Sequence, residues 1–319
     1  CIEQGFSGTG NITVDPLFYN EEELDYRLRY DSPCIDTGVY DPILPYDDIE
    51  GRSRGIDITG KGTDASIDVY DLGAFEVRQV VFVDANSVAT TPTGTSWADA
   101  HTTIAAALTD LTSGGEVWVA DGVYDETLNV ATGIHIYGGF VGTETAVIDR
   151  NWHLNKSIVD QRTGSGSVFF ISSSDVWLDG LVITGGDAGA GAGGGVLVLN
   201  TDRSVQIMNC TITNCSATGG GGISCDNADP SIGSCYVVGN TATADGAGIQ
   251  CATGAVPRIF NTVISGNAGP EGAVSCNGSS PEIVNCTISA NKGSSAIHLS
   301  ASSPTVVNTI FEGNANYDI

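Results

Sequence analysis

The sequence predicts an all-β fold, a right-handed parallel β-helix (a solenoid) with a short capping α-helix, and three observations carry that expectation. Composition is the first: 42 of 319 residues are glycine and one is methionine, while Val, Ile, Thr, Ser and Asn fill much of the rest, as in short strands joined by tight turns. The second is an internal repeat. Aligned on the apolar residue after each cluster of small residues, Val196, Ile223, Ile249, Val274 and Ile297 follow at spacings of 27, 26, 25 and 23. The third is the length of the apolar runs within each unit. They are too short to bury a face alone, so neighbouring units must stack into one core. Short strands recurring in one order stack as coils about 4.8 Å apart, and the handedness of parallel crossovers favours the right-handed form.

Three regions follow along the chain: 1–79, 80–140 and 141–319. The first is acidic, and its tightest cluster, DDIEG, offers Asp47, Asp48 and Glu50 as oxygen ligands for Ca²⁺. Arg52 and Arg54 beside it favour local ion pairs instead, and no EF-hand or nonapeptide Ca²⁺ loop is present. In the second region Thr95 or Ser96 is placed to cap a helix with Trp97, Ile104, Ala105, Leu108 and Leu111 on its apolar face, stopped by Gly114 and Gly115. That helix should close the first coil.

The third region holds the regular rungs, whose second strands read SVQIMNCTITN, PSIGSCYVVGN, PRIFNTVISGN, PEIVNCTISAN and PTVVNTIFEGN. Asn214, Asn240, Asn267, Asn291 and Asn314 end them and are expected to form a structural ladder of turn asparagines, each bonded to the backbone or to the Asn one rung away. Cys225, Cys251 and Cys276 fall in one column, and Cys210, Cys235 and Cys286 in another, with Thr262 and Thr309 filling its gaps. These read as inward sites for buried free thiols, although one rung also meets the Cα spacing of a disulfide. Cys215 stands apart.

The segments TSWADA, EVWVADGVYDE, IYGGFVGTET and DGLVITGG, together with these rungs, resemble bacterial right-handed parallel β-helix surface proteins, including relatives of the polymorphic outer-membrane protein repeats. VDPLFYN, YRLRYDSPCIDTG, DIEGRSR and YDLGAFE, between residues 12 and 76, are similar to the segment that ends the β-helix in that family. The resemblance implies that a terminal segment stands first here. The two ends then read as halves of one junction, with Cys1, Ile2, Phe6, Phe311, Tyr317 and Ile319 as its residues. An extracellular or cell-surface structural protein that forms head-to-tail filaments or tandem arrays with itself is the leading expectation.

The alternative is a surface adhesin or carbohydrate-binding domain with surface glycans as partners, for which an exposed aromatic row is the discriminating feature; Tyr236, Phe260 and Phe311 are its candidates. A polysaccharide lyase or hydrolase is a further alternative and not the expected one. Arg203, Arg258 and Lys292 are scattered, the acidic residues lie mostly in turns, and His101, His135, His153 and His298 fall on different rungs. No enzyme activity is therefore expected, and no cofactor beyond the Ca²⁺ candidate. With 38 Asp and Glu against 12 Lys and Arg, net charge −26, nucleic acid is excluded as a partner and polyanions in general are expected to be poor ones. No apolar run is long enough to span a membrane.

Overall fold

The structure is a computed structural model that describes residues 12–29, 31–39, 48, 49, 54, 55, 58, 61, 62, 70–111 and 114–318. The chain falls into two compact units that divide between Gln79 and Val80.

In the first unit, Phe18–Asn20 and Asp25–Leu28 pair antiparallel. Leu28, Cys34, Ile35 and Ile58 form a small core, and Cys34 is disulfide-bonded. Asp36, Asp48, Asp71 and Glu76 are buried beside it, because their carboxylates accept backbone N–H groups that irregular chain would otherwise leave unpaired. Asp71 accepts from Asp36 and Val77, Glu76 from Gly55 and Asp71, Asp36 from Ile58, and Asp48 from Glu76. Asp48 is thus turned inward as a backbone acceptor. Asp47 and Glu50 lie outside the described residues, and among those described no cluster of acidic, His or Cys side chains is arranged to hold a metal ion. Arg54 stands 3.8 Å from Glu76.

The second unit is the expected right-handed β-helix. Its strands form three large parallel sheets of nine, eight and seven strands, to which successive coils add one strand each, and a small parallel pair, Ser216–Ala217 with Thr241–Ala242. Val196, Ile223, Ile249, Val274 and Ile297 are register partners in the seven-stranded sheet. The inward neighbours Val198, Cys225, Cys251 and Cys276 continue the same pairing and are fully buried. Ile207, Ile232, Ile259 and Ile283 make a third apolar ladder, and Ile212, Val237, Ile264 and Ile288 a fourth. Each buried Ile or Val contributes roughly 1.5–3 kcal/mol relative to exposure. Cys210, Cys215, Cys225, Cys235, Cys251, Cys276 and Cys286 are buried free thiols, and Phe311, in register with Ile288, turns inward against the core.

Single residues in the left-handed backbone region turn the corners of each coil. Asn209, Ser234, Asn261, Asn285 and Asn308 have φ between 49° and 54°, and Asn214, Gly239, Gly266, Ala290 and Gly313 form a second such column. Asn214 is therefore a corner residue and does not belong to the asparagine ladder. Register places Cys215 opposite Asn240 instead, and the Cys215 N–H donates to Asn240 Oδ1 at 3.0 Å. The ladder itself runs through Asn240, Asn267, Asn291 and Asn314. Each Nδ2 donates to the next Oδ1 at 3.0–3.1 Å, and those of Asn240, Asn267 and Asn291 also donate to Ile212, Val237 and Ile264 carbonyls. The small-residue motif follows from this ladder. A Cβ at Gly222 would lie 3.0 Å from Asn240 Nδ2 and 2.7 Å from the Gly248 carbonyl, so only a residue without a side chain fits there.

The capping helix is Ile104–Asp110, shorter than expected, and Thr103 caps it by accepting from the Ala106 N–H. Ser96 precedes only a 3-10 turn, Trp97–Asp99, and makes no side-chain cap bond. Ile104, Ala107 and Leu111 face the core, whereas Ala105 is exposed. Trp97 joins an aromatic layer outside the nine-stranded sheet, 4.8 Å from Phe82 and 5.5 Å from Phe140 between ring centres. No helix among the described residues is long and apolar enough to cross a membrane.

Candidate functional site

A cleft of about 300 Å³ opens on the outer face of the eight-stranded sheet. Its floor is a column of register partners, Val182, Thr211, Tyr236 and Val263, flanked by Asn209, Ser234 and Asn261 from the adjoining corner. Its wall is the connection that follows Phe140, which brings Trp152, His153 and Lys156 over the sheet.

That wall is held by several independent contacts. Gly139 and Gly180 leave the notch it occupies: a Cβ at Gly139 would stand 2.6 Å from the Trp152 nitrogen, and one at Gly180 2.9 Å from Trp152 Cβ. Arg150, buried, donates to the Gly138 carbonyl at 2.9 Å and pairs with Asp179 at 2.9 Å. Its guanidinium lies 4.8 Å from the centre of the Trp152 ring. Asn151 Oδ1 accepts from the His153 and Leu154 N–H groups, and Asn155 donates to the Gly139 carbonyl. Lys156 Nζ donates to the Trp152 carbonyl at 2.9 Å. The site is thus preorganised rather than assembled by its ligand.

Tyr236 is 53% exposed. It stands two strands along from the coil on which Trp152 rests, about 10 Å at the coil spacing. Tyr236, Phe260 and Phe311 do not form a row along one column, and the two aromatic rings of the cleft come one from a strand and one from a loop. Phe260 lies on the nine-stranded sheet with Arg258 over its ring at 5.2 Å, and Phe311 faces inward. Trp152 is not among the aromatic residues that the strand pattern singles out, because it lies in a connection between strands. The signal available was the length of NWHLNK and its surroundings between two strands, which exceeds a turn.

A second polar cluster lies elsewhere. Asp245 and Glu271, which open the DGAG and EGA segments of successive coils, form a side-chain hydrogen bond, and His298 is 3.8 Å from Glu271. The outward column Ser224, Gln250, Ser275 and His298 supports them: Gln250 donates to Asp245 at 2.8 Å, Ser275 to Glu271 at 3.3 Å and Ser224 to Gln250 at 3.1 Å. Burial first, then the bond to Asp245, raises the Glu271 carboxyl above its ordinary range. Both acids lie in turns, as the sequence suggests, and the stacking of successive coils brings them together.

Of the junction residues, Tyr317 is 72% exposed and Phe311 partly buried; Cys1, Ile2, Phe6 and Ile319 lie outside the described residues.

Among solved structures, the chain is similar to the pectate lyase Pel9A, with 12% identity and a TM-score of 0.49 over 68% of this chain and 55% of that one, so the likeness spans about half of the lyase. It is also similar to the pectin methylesterase of Aspergillus niger in deglycosylated form, with 13% identity and a TM-score of 0.43 over 75% of this chain and 85% of the esterase. At such identities the likeness is one of fold. No curated protein is significantly similar in sequence. One family model, the right handed beta helix region, matches residues 123–319. With more than half of its length matched and its coils wound as three parallel sheets, the chain belongs to that right-handed β-helix family.

Proposed function

We propose that the second unit is a carbohydrate-binding β-helix domain of an extracellular or cell-surface protein, holding an extended glycan along the solenoid axis. The observation that carries this reading is the pair of aromatic side chains, Trp152 and Tyr236, on one preformed cleft among amide and hydroxyl groups of Asn209, Asn261, Ser234 and Thr211. Apolar ring faces bracketed by a few fixed polar groups are the usual make-up of a small-ligand site. The lining holds no carboxylate among the described residues, so the reading is of recognition rather than of hydrolysis by paired acids. The disulfide at Cys34 supports an oxidising compartment, as does the resemblance to surface proteins. A glycan array probed with the wild-type chain and with Y236A tests it: signals lost in the variant support the reading, and identical signals, or none from either, contradict it.

End-to-end assembly is a second reading, favoured by the outermost strands. Leu299, the register partner of the fully buried Cys276, is 38% exposed, and the inward Val306 and Phe311 are only partly buried where their partners Ile283 and Ile288 are fully so, along an edge that one further coil would cover, whether from continuing chain or from a second copy. Filaments with an axial repeat of one subunit in negative-stain electron microscopy would support assembly, and monodisperse particles at all concentrations would count against it.

A further inference from the structure

The cleft differs in charge from the rest of the chain. Acidic residues outnumber basic ones 38 to 12, yet the lining contains Lys156 and His153 and, among the described residues, no Asp or Glu. Asp179, behind Asn209, is already engaged by Arg150 at 2.9 Å. Lys156 spends one donor on the Trp152 carbonyl, which fixes the ammonium at the wall and leaves its remaining protons for a ligand. Resting on the glycan-binding reading, we infer that the chain held in this cleft is anionic, a polysaccharide whose sugars carry carboxylate or sulfate groups.

The acidity of the whole protein argues for the opposite, and distance decides between them. At physiological ionic strength charges beyond about 8 Å are largely screened, so an anionic sugar lying against Trp152 feels the Lys156 ammonium before it feels the acidic surface at large. The net charge of −26 then excludes polyanions from most of the surface and leaves the cleft as the place where one is tolerated. This turns a global repulsion into local selectivity.

Isothermal calorimetry at 0.15 M salt with three matched probes tests the inference: a β-1,4-linked glucose hexamer, the glucuronate hexamer of the same linkage, and a sulfated glucose hexamer. The wild-type chain is expected to bind the glucuronate or the sulfated hexamer roughly fivefold more tightly than the neutral one, the scale of one exposed ion pair. K156A should remove that advantage, and K156R should restore it. Preference for one charged probe over the other identifies which anion the cleft takes. Equal affinity for neutral and charged hexamers, or an undiminished advantage in K156A, overturns the inference while the glycan reading stands. Binding of none of the three by wild type overturns both.

Discussion

Tyr236 and Trp152 share a cleft but differ in what else they support. Tyr236 is half exposed on a strand, so Y236A should leave the thermal midpoint within a degree or two and lower glycan affinity roughly tenfold, as loss of a central aromatic contact does. W152A should lower both, because its ring also packs against the buried Arg150 guanidinium at 4.8 Å; paired melting and calorimetry separate the two cases. Asp71 offers a different residue-scale test. Burial, with the Glu76 carboxylate second, raises its carboxyl from 3.8 to about 7. A folded-state value above the unfolded one contributes stability that is full below about pH 4 and is lost as pH rises through about 7. The shift corresponds to an upper bound of about 4 kcal/mol. The stability difference between wild type and D71N, from urea midpoints, should therefore favour wild type more at pH 4 than at pH 7.5; a difference that does not change with pH would contradict the assignment.

At the scale of the element, the asparagine ladder and the glycine column are one device, since the side chains of the first fill the space that the second leaves empty. Asn267 is fully buried and bonded above and below, so N267A should destabilise the chain by about 2–4 kcal/mol, chiefly through buried groups left unpaired. N314A, on a partly exposed rung, should cost about 1 kcal/mol; equal losses in denaturant titrations would show that the ladder is not the support described. Much of this was legible in the sequence, because a period near 25 fixes register and alternation fixes which side chains turn inward. Asn214 was misplaced for a physical reason. Asparagine suits both the ladder and the left-handed corner one residue earlier, and only the pairing of Cys210 with Cys235 decides between them. The capping helix was overdrawn in the same way: Ala100 to Thr103 read as helical, but extended backbone at Thr103 supplies the actual cap.

At the scale of the whole molecule, the coil order and core were legible while the cleft was not. Trp152 and Tyr236 are far apart in sequence and meet because stacking brings a long connection over strands of later coils. The same holds for Asp245 and Glu271, one coil apart. The core has its own test in the seven buried thiols. Burial pushes Cys215 up to about 11 and Cys235 to about 12, so a thiol reagent at pH 8 should label none of the seven in the folded protein within minutes and all seven in guanidinium; rapid labelling without denaturant would contradict a closed core. The most direct test of the central claim is a crystal structure of the chain soaked with the glucuronate hexamer. The account predicts sugar rings lying on Trp152 and Tyr236 with the glycan running along the solenoid axis, and a hexamer bound beside Asp245 and Glu271, or nowhere on the eight-stranded sheet, would contradict it.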